Sequence, residues 1–175
     1  MRLLLRILLI VAVILGIAGA GSVLLPRDVI VERRIVIAAP AEAVFPQVNS
    51  LQRFAAWSPW TLYDPAMKQS FSGPEAGIGS RMSWESEEIG SGSQEIVASV
   101  PNERVEMALD FGGSGQAEAW FELAAAGSGT EVTWGFHSDL GYNPVARYMG
   151  LMFPEWIGAD FDRGLAALKN ATEAK

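Results

Sequence analysis

The stretch 143-NPVARYMGLMFPEWIGADFDRGLAALK-169 decides how the rest of the chain must be arranged. Asn143 can cap free amide groups and Pro144 fits a first helical turn, so a helix is predicted to start here. Apolar residues recur at Val145, Tyr148, Met149, Met152, Trp156, Phe161, Leu165 and Leu168. Those intervals predict one apolar stripe along a long helix. Pro154 falls in mid-pattern and predicts a kink or a split. A stripe of that length needs a broad apolar surface beneath it.

The upstream chain supplies that surface. Val29 to Ile37 reads as a first strand, with Val29, Val31, Arg33, Ile35 and Ile37 on one face. Ala39-Pro40 ends it, and two short helices follow over Ala41–Val48 and Leu51–Ala56, the second capped from Asn49-Ser50. Trp57-Ser58-Pro59-Trp60 is a rigid aromatic corner that either plugs one end of the core or forms a pocket mouth. Six strands are then predicted at 67–71, 80–85, 94–100, 103–111, 116–123 and 130–138, separated by Gly-rich or Pro-Asn turns. Val105, Met107, Leu109 and Phe111 alternate with Arg104, Glu106 and Asp110, so one face is covered and the other wet. The order is strand, two short helices, an antiparallel meander, then one long helix: an α+β class with a single helix to cover the sheet.

Ile7 to Leu25 is 19 residues without a charge. As a helix it would be about 28 Å long, close to the hydrocarbon thickness of a bilayer. Residues 1–27 are therefore read as a transmembrane signal anchor and residues 28–175 as the folded domain. The alternative is a cleaved signal peptide, with Ala18-Gly19-Ala20 as the cleavage site. Arg2 and Arg6 precede the apolar run, which favours a single-pass protein of the cell membrane with its body outside the cytoplasm. Arg27, Arg33 and Arg34 on the far side pull the other way. The formal net charge is −7, and setting aside Arg2 and Arg6 leaves −9 on the body. That acidity argues against nucleic acid and against charge-driven docking on anionic lipid. The chain has no cysteine, which excludes disulfides, Cys-based metal sites and thiol nucleophiles.

Several segments in this order resemble the START/Bet v 1-like superfamily (SRPBCC) and, within it, the polyketide cyclase/dehydrase-like group. They are Glu32–Pro40 with Ala43-Val44-Phe45, Trp57–Trp60, Gly79 with Trp84, Val100–Val105, Gly129–Trp134 and Phe161–Lys169. The resemblance covers about residues 28 to 170 and implies a helix-grip fold. In that fold a curved seven-stranded antiparallel sheet wraps the C-terminal helix around a cavity. The candidate ligand-binding residues are Trp57, Trp60, Met82, Trp84, Trp134, Phe136, Met149, Met152, Phe153 and Trp156. Met and Trp suit an adaptable apolar site of a few hundred Å³. The expected function is a membrane-anchored binding domain for a hydrophobic or amphipathic small molecule, lipid-like or polyketide-like. Two alternatives stand beside it: a cyclase/dehydratase-type enzyme, and a protein-interaction module with a filled interior.

No catalytic set is predicted. His137, the only histidine, falls opposite Trp134 and Phe136 and faces solvent unless its strand bulges. Glu85, Glu87 and Glu88 read as a solvated turn, and Asp160 and Asp162 lack the spacing of a metal site. No cofactor is expected: the chain lacks a nucleophile elbow, a phosphate loop and a dinucleotide-binding glycine pattern.

Overall fold

The computed structural model describes residues 2–174. Helix α1 (Arg2–Ser22) carries no charge after Arg6 and is exposed along nearly its whole described length. It is long and apolar enough to cross a membrane. The body follows as β1 (Asp28–Ile37), α2 (Ala41–Val48), α3 (Leu51–Trp57) and α4 (Pro59–Tyr63). Six strands come next: β2 (Lys68–Ser72), β3 (Arg81–Glu85), β4 (Gly92–Val100), β5 (Arg104–Asp110), β6 (Gln116–Ala126) and β7 (Gly129–Asp139). Helices α5 (Pro144–Gly150) and α6 (Phe153–Glu173) close the chain.

The strands form one antiparallel sheet in the order β1-β7-β6-β5-β4-β3-β2. The meander from β2 to β7 is thus closed by β1, whose Asp28 lies opposite Asp139 and whose Ile37 lies opposite Thr130. Alternation sets the faces as the sequence predicts. Ala117, Ala119, Phe121 and Leu123 of β6 and Val132, Trp134 and Phe136 of β7 are buried under the helices. Glu118, Glu122 and His137 lie on the outer face. The register shifts only in β4, between Ile96 and Ala98. A bulge there leaves His137 on its solvent side.

Asn143 caps α5 as expected: its Oδ1 accepts from the amides of Val145 (3.0 Å) and Ala146 (3.3 Å). The kink or split predicted at Pro154 is a split. Leu151 and Met152 separate the two helices, and Pro154 sits in the first turn of α6, where its missing N–H has no helical partner to lose. α6 runs chiefly over β1, while α2 and α3 cover β6, β7 and β3. Trp57 and Trp60 belong to the same cover. The corner between them is not a plain loop, because Pro59 opens α4.

Candidate ligand-binding site

Covered by α2, α3, α4 and α6, the concave face of the sheet divides into two parts. In the first, Trp134 is the hub. Its indole lies flat on Phe161 of α6, centroids 4.0 Å apart and planes 7° from parallel. Phe121, Trp57, Trp60 and Phe54 close around it at 5.0 to 5.8 Å. α6 can come this close because it presents Gly164 there: a Cβ at that position would stand 2.6 Å from the Trp134 ring. Leu165 and Leu168 continue the seal. This part is filled, and α6 lies flush on the sheet.

The second part is the end of the sheet where β1 begins. One row of inward residues there runs from Ala117 through Leu109 and Gln94 to Met82. Gln94 is buried, yet its Nε2 has no hydrogen-bond partner. An amide donor left unpaired in an apolar setting costs about 1–3 kcal/mol and calls for an explanation. Its strand neighbours, Met82 and Leu109, offer it nothing. The next row out holds Trp84 and Phe111, half-buried, with rings 5.9 Å apart in an edge contact. Gly92 allows the Trp84 indole to lie across β4, since a Cβ would collide with the ring. Leu140, Phe153 and Ile157 are half-buried and pack against the core. A floor of Ala117, Leu109 and Met82, a half-buried aromatic rim and one buried amide donor without a partner distinguish this part from the filled one.

The ten residues expected to line a cavity fall into three groups. Trp57, Trp60 and Trp134 join the filled aromatic part. Met82, Trp84, Phe136 and Phe153 lie on the floor or against the core. Met149, Met152 and Trp156 do not face the sheet and are 41–50 % exposed. The break at Leu151–Met152 lets α5 turn away from the line of α6, so one stripe in sequence becomes two faces in space. Gln94 carries the most informative polar group of the set, and the sequence reading passes over it. Its signal was available: a polar residue two before Ile96 on an alternating strand.

A depression of about 420 Å³ lies on the outer face of the sheet. The ionisable side chains Arg81, Glu95, Asp110, Glu118, His137 and Asp139 stand around it. His137 Nε2 stands 3.0 Å from an Asp28 oxygen, outside the covered face. The Tyr63 hydroxyl donates to Asp160, and burial, followed by that carboxylate, pushes its pKa up. Asp162 pairs with Arg33 rather than with Lys169 or Arg163. Among the described residues no group of three or more His, Asp or Glu fits a metal ion.

The sequence profile of the family described as "Polyketide cyclase / dehydrase and lipid transport" matches residues 28–173. No curated protein matches the sequence. Solved structures share the fold at low identity. Protein CV1439 from Chromobacterium violaceum is 17% identical over 82% of this chain and 97% of its own, with a TM-score of 0.59. Ara h 8.0201 is 12% identical over 85% and 99%, with a TM-score of 0.56. DynU16, from the dynemicin biosynthetic locus, is 16% identical over 83% of this chain but 48% of its own, with a TM-score of 0.57.

Proposed function

This chain belongs to the polyketide cyclase, dehydrase and lipid-transport family, and we propose that it is a membrane-tethered carrier of one lipid-like or polyketide-like molecule. The guest lies over Ala117, Leu109 and Met82, inside the rim of Trp84 and Phe111. One carbonyl, ester or hydroxyl oxygen of the guest accepts from Gln94 Nε2. The single observation that carries this reading is that buried, unpaired amide. A filled interaction module has no use for it, whereas a binding site exchanges the cost of the empty state for selectivity in the loaded one. α1 holds the carrier on the membrane; Arg2 and Arg6 ahead of the apolar run favour a body outside the cytoplasm, and Arg27, Arg33 and Arg34 beyond it pull the other way.

The test compares the full chain with Gln94→Leu, both delipidated and held in amphipol. Parinaric acid is titrated by fluorescence, and native mass spectrometry reports any lipid carried through purification. Wild type is expected to bind. Gln94→Leu is expected to lose about tenfold in affinity, the equivalent of one lost hydrogen bond to a buried oxygen. The same variant should be more stable when empty, by about 1 kcal/mol, because it no longer buries an unpaired donor. Wild type that never binds, or a variant that binds equally well with no gain in stability, overturns the proposal.

A further inference from the structure

The corner between α5 and α6 is unlike the rest of the surface. Tyr142 is 83 % exposed, Val145 66 %, Leu151 56 % and Trp156 50 %. From Tyr142 to Trp156 the only exposed charge is Glu155, on a body that carries −9 without Arg2 and Arg6. An exposed apolar surface on one element, rimmed by polar residues, marks something that covers it. What covers it is indicated by the contact that α5 makes behind that surface. Arg147 points the opposite way from Val145 and is buried. Its Nε donates to the Gly141 carbonyl (2.8 Å), and its terminal nitrogen donates to the carbonyls of Ser22 (3.1 Å) and Val23 (3.4 Å). Those carbonyls lie at and just past the C-terminus of α1, the helix end that attracts a cation, and that of Ser22 also accepts from the Leu25 amide (3.1 Å). Beside it the Tyr148 hydroxyl donates to the Ala18 carbonyl (3.0 Å). α5 is thus fastened to the last turn of the apolar helix. Val23 and Leu24, between that helix and the body, are also exposed.

We propose that this corner is seated in the headgroup layer of the bilayer that α1 crosses, with zwitterionic phospholipid as its partner. The inference rests on the membrane reading above. If Ala18–Ser22 end a span, α5 lies within one helix width of the point where the chain leaves the hydrocarbon. Tyr and Trp favour that depth because they are apolar in body and polar at the tip. Val145, Leu151 and Met152 enter the acyl boundary as an interfacial helix does. The cations nearest this face are already paired, Arg27 over the Tyr142 ring with Asp139 and Arg147 with backbone carbonyls, so attachment is apolar and insensitive to salt. The partly open end of the sheet, where β1 starts, then looks onto lipid.

The absence of cysteine makes the test direct. Single substitutions Val11→Cys, Val145→Cys, Met152→Cys and Ser128→Cys are made in the full chain, labelled with a nitroxide and placed in phosphatidylcholine nanodiscs. Relative accessibility to oxygen and to a water-soluble nickel chelate reads depth. Labels at Val11, Val145 and Met152 should favour oxygen, and the label at Ser128, in the turn at the opposite end of the sheet, should favour nickel. Adding salt should change none of these. Arg147→Ala should move the labels at Val145 and Met152 into water and leave that at Val11 in lipid. Val11 in lipid with Val145 and Met152 in water overturns this inference and leaves the anchor standing. Spin–spin broadening at Met152 overturns it in favour of a second copy of the chain. Val11 in water removes the membrane reading itself and this inference with it.

Discussion

Where α6 crosses β1 and β7, Trp134 and Phe161 stack at 4.0 Å and four further aromatic rings close the space. Where the sheet runs on to β5, β4 and β3, a buried amide has no partner and the rim is half exposed. Both parts belong to one covered face and share its strands. The difference lies in what the cover brings to each. Over Trp134 it brings a glycine, and the helix settles until ring meets ring. Over Gln94 it brings no complementary group. The first part is built for stability; the second gives up stability, and in the function proposed above it does so in order to bind.

The largest effect should come from breaking the filled part. Trp134→Ala removes the ring that every neighbour touches and is expected to cost about 3–5 kcal/mol. Trp84→Ala, at the half-exposed rim, should cost about 1 kcal/mol and weaken ligand binding. Denaturant midpoints of the two variants check this, and equal losses would mean that the parts do not differ. A smaller contrast comes from adding atoms. Gly164→Ala sets a methyl 2.6 Å from the Trp134 ring and 3.1 Å from Pro59. It should destabilise by about 1–3 kcal/mol through overpacking. Ala117→Val, on the floor near Gln94, should cost less than about 1 kcal/mol while excluding parinaric acid. If Ala117→Val is the more damaging of the two, the second part has no slack.

Most of the fold was legible because alternation and turn residues act locally. Predicted strands such as 103–111 and 130–138 differ from Arg104–Asp110 and Gly129–Asp139 by a residue at either end. The split at Pro154 was legible from proline chemistry. α4 was not: five residues are too few to show a helical period, and Trp57-Ser58-Pro59-Trp60 reads as a loop although Pro59 opens a turn of helix. The site was legible only by face. Alternation puts Met82, Trp84 and Phe136 on the covered side, and they lie there. It cannot tell which covered residues meet a partner, so the filled and unfilled parts look alike in sequence. Nor can a stripe be followed across a break between helices, which is why Met149, Met152 and Trp156 are read inward and lie outward. Arg147 carries no sequence signal, because its partners are backbone carbonyls, and those of Ser22 and Val23 lie more than a hundred residues away.

The smallest effect separates the two ends of the sheet by charge. Asp139, at the end of β7, is held at about 2 from an ordinary 3.8, first by the hydrogen bond from Arg27 and next by the Gly141 amide. The carboxylate is thus favoured in the folded chain, and its contribution is complete above its ordinary range. It is lost progressively as the pH falls from about 3.8 through about 2. Between neutrality and pH 4 nothing should change at this site, and carbon NMR of the Asp139 carboxyl should place its midpoint well below that of a free aspartate. Arg27→Ala should return the midpoint toward 3.8. Leu140, whose amide donates to the Arg27 carbonyl at 2.8 Å, should report the same transition. The Trp134 indole should not, because the rings around it carry no titrating group. An indole signal that moves with the Asp139 midpoint would show that the filled part depends on the pairing of the chain at the other end, and the division into two independent halves would fail.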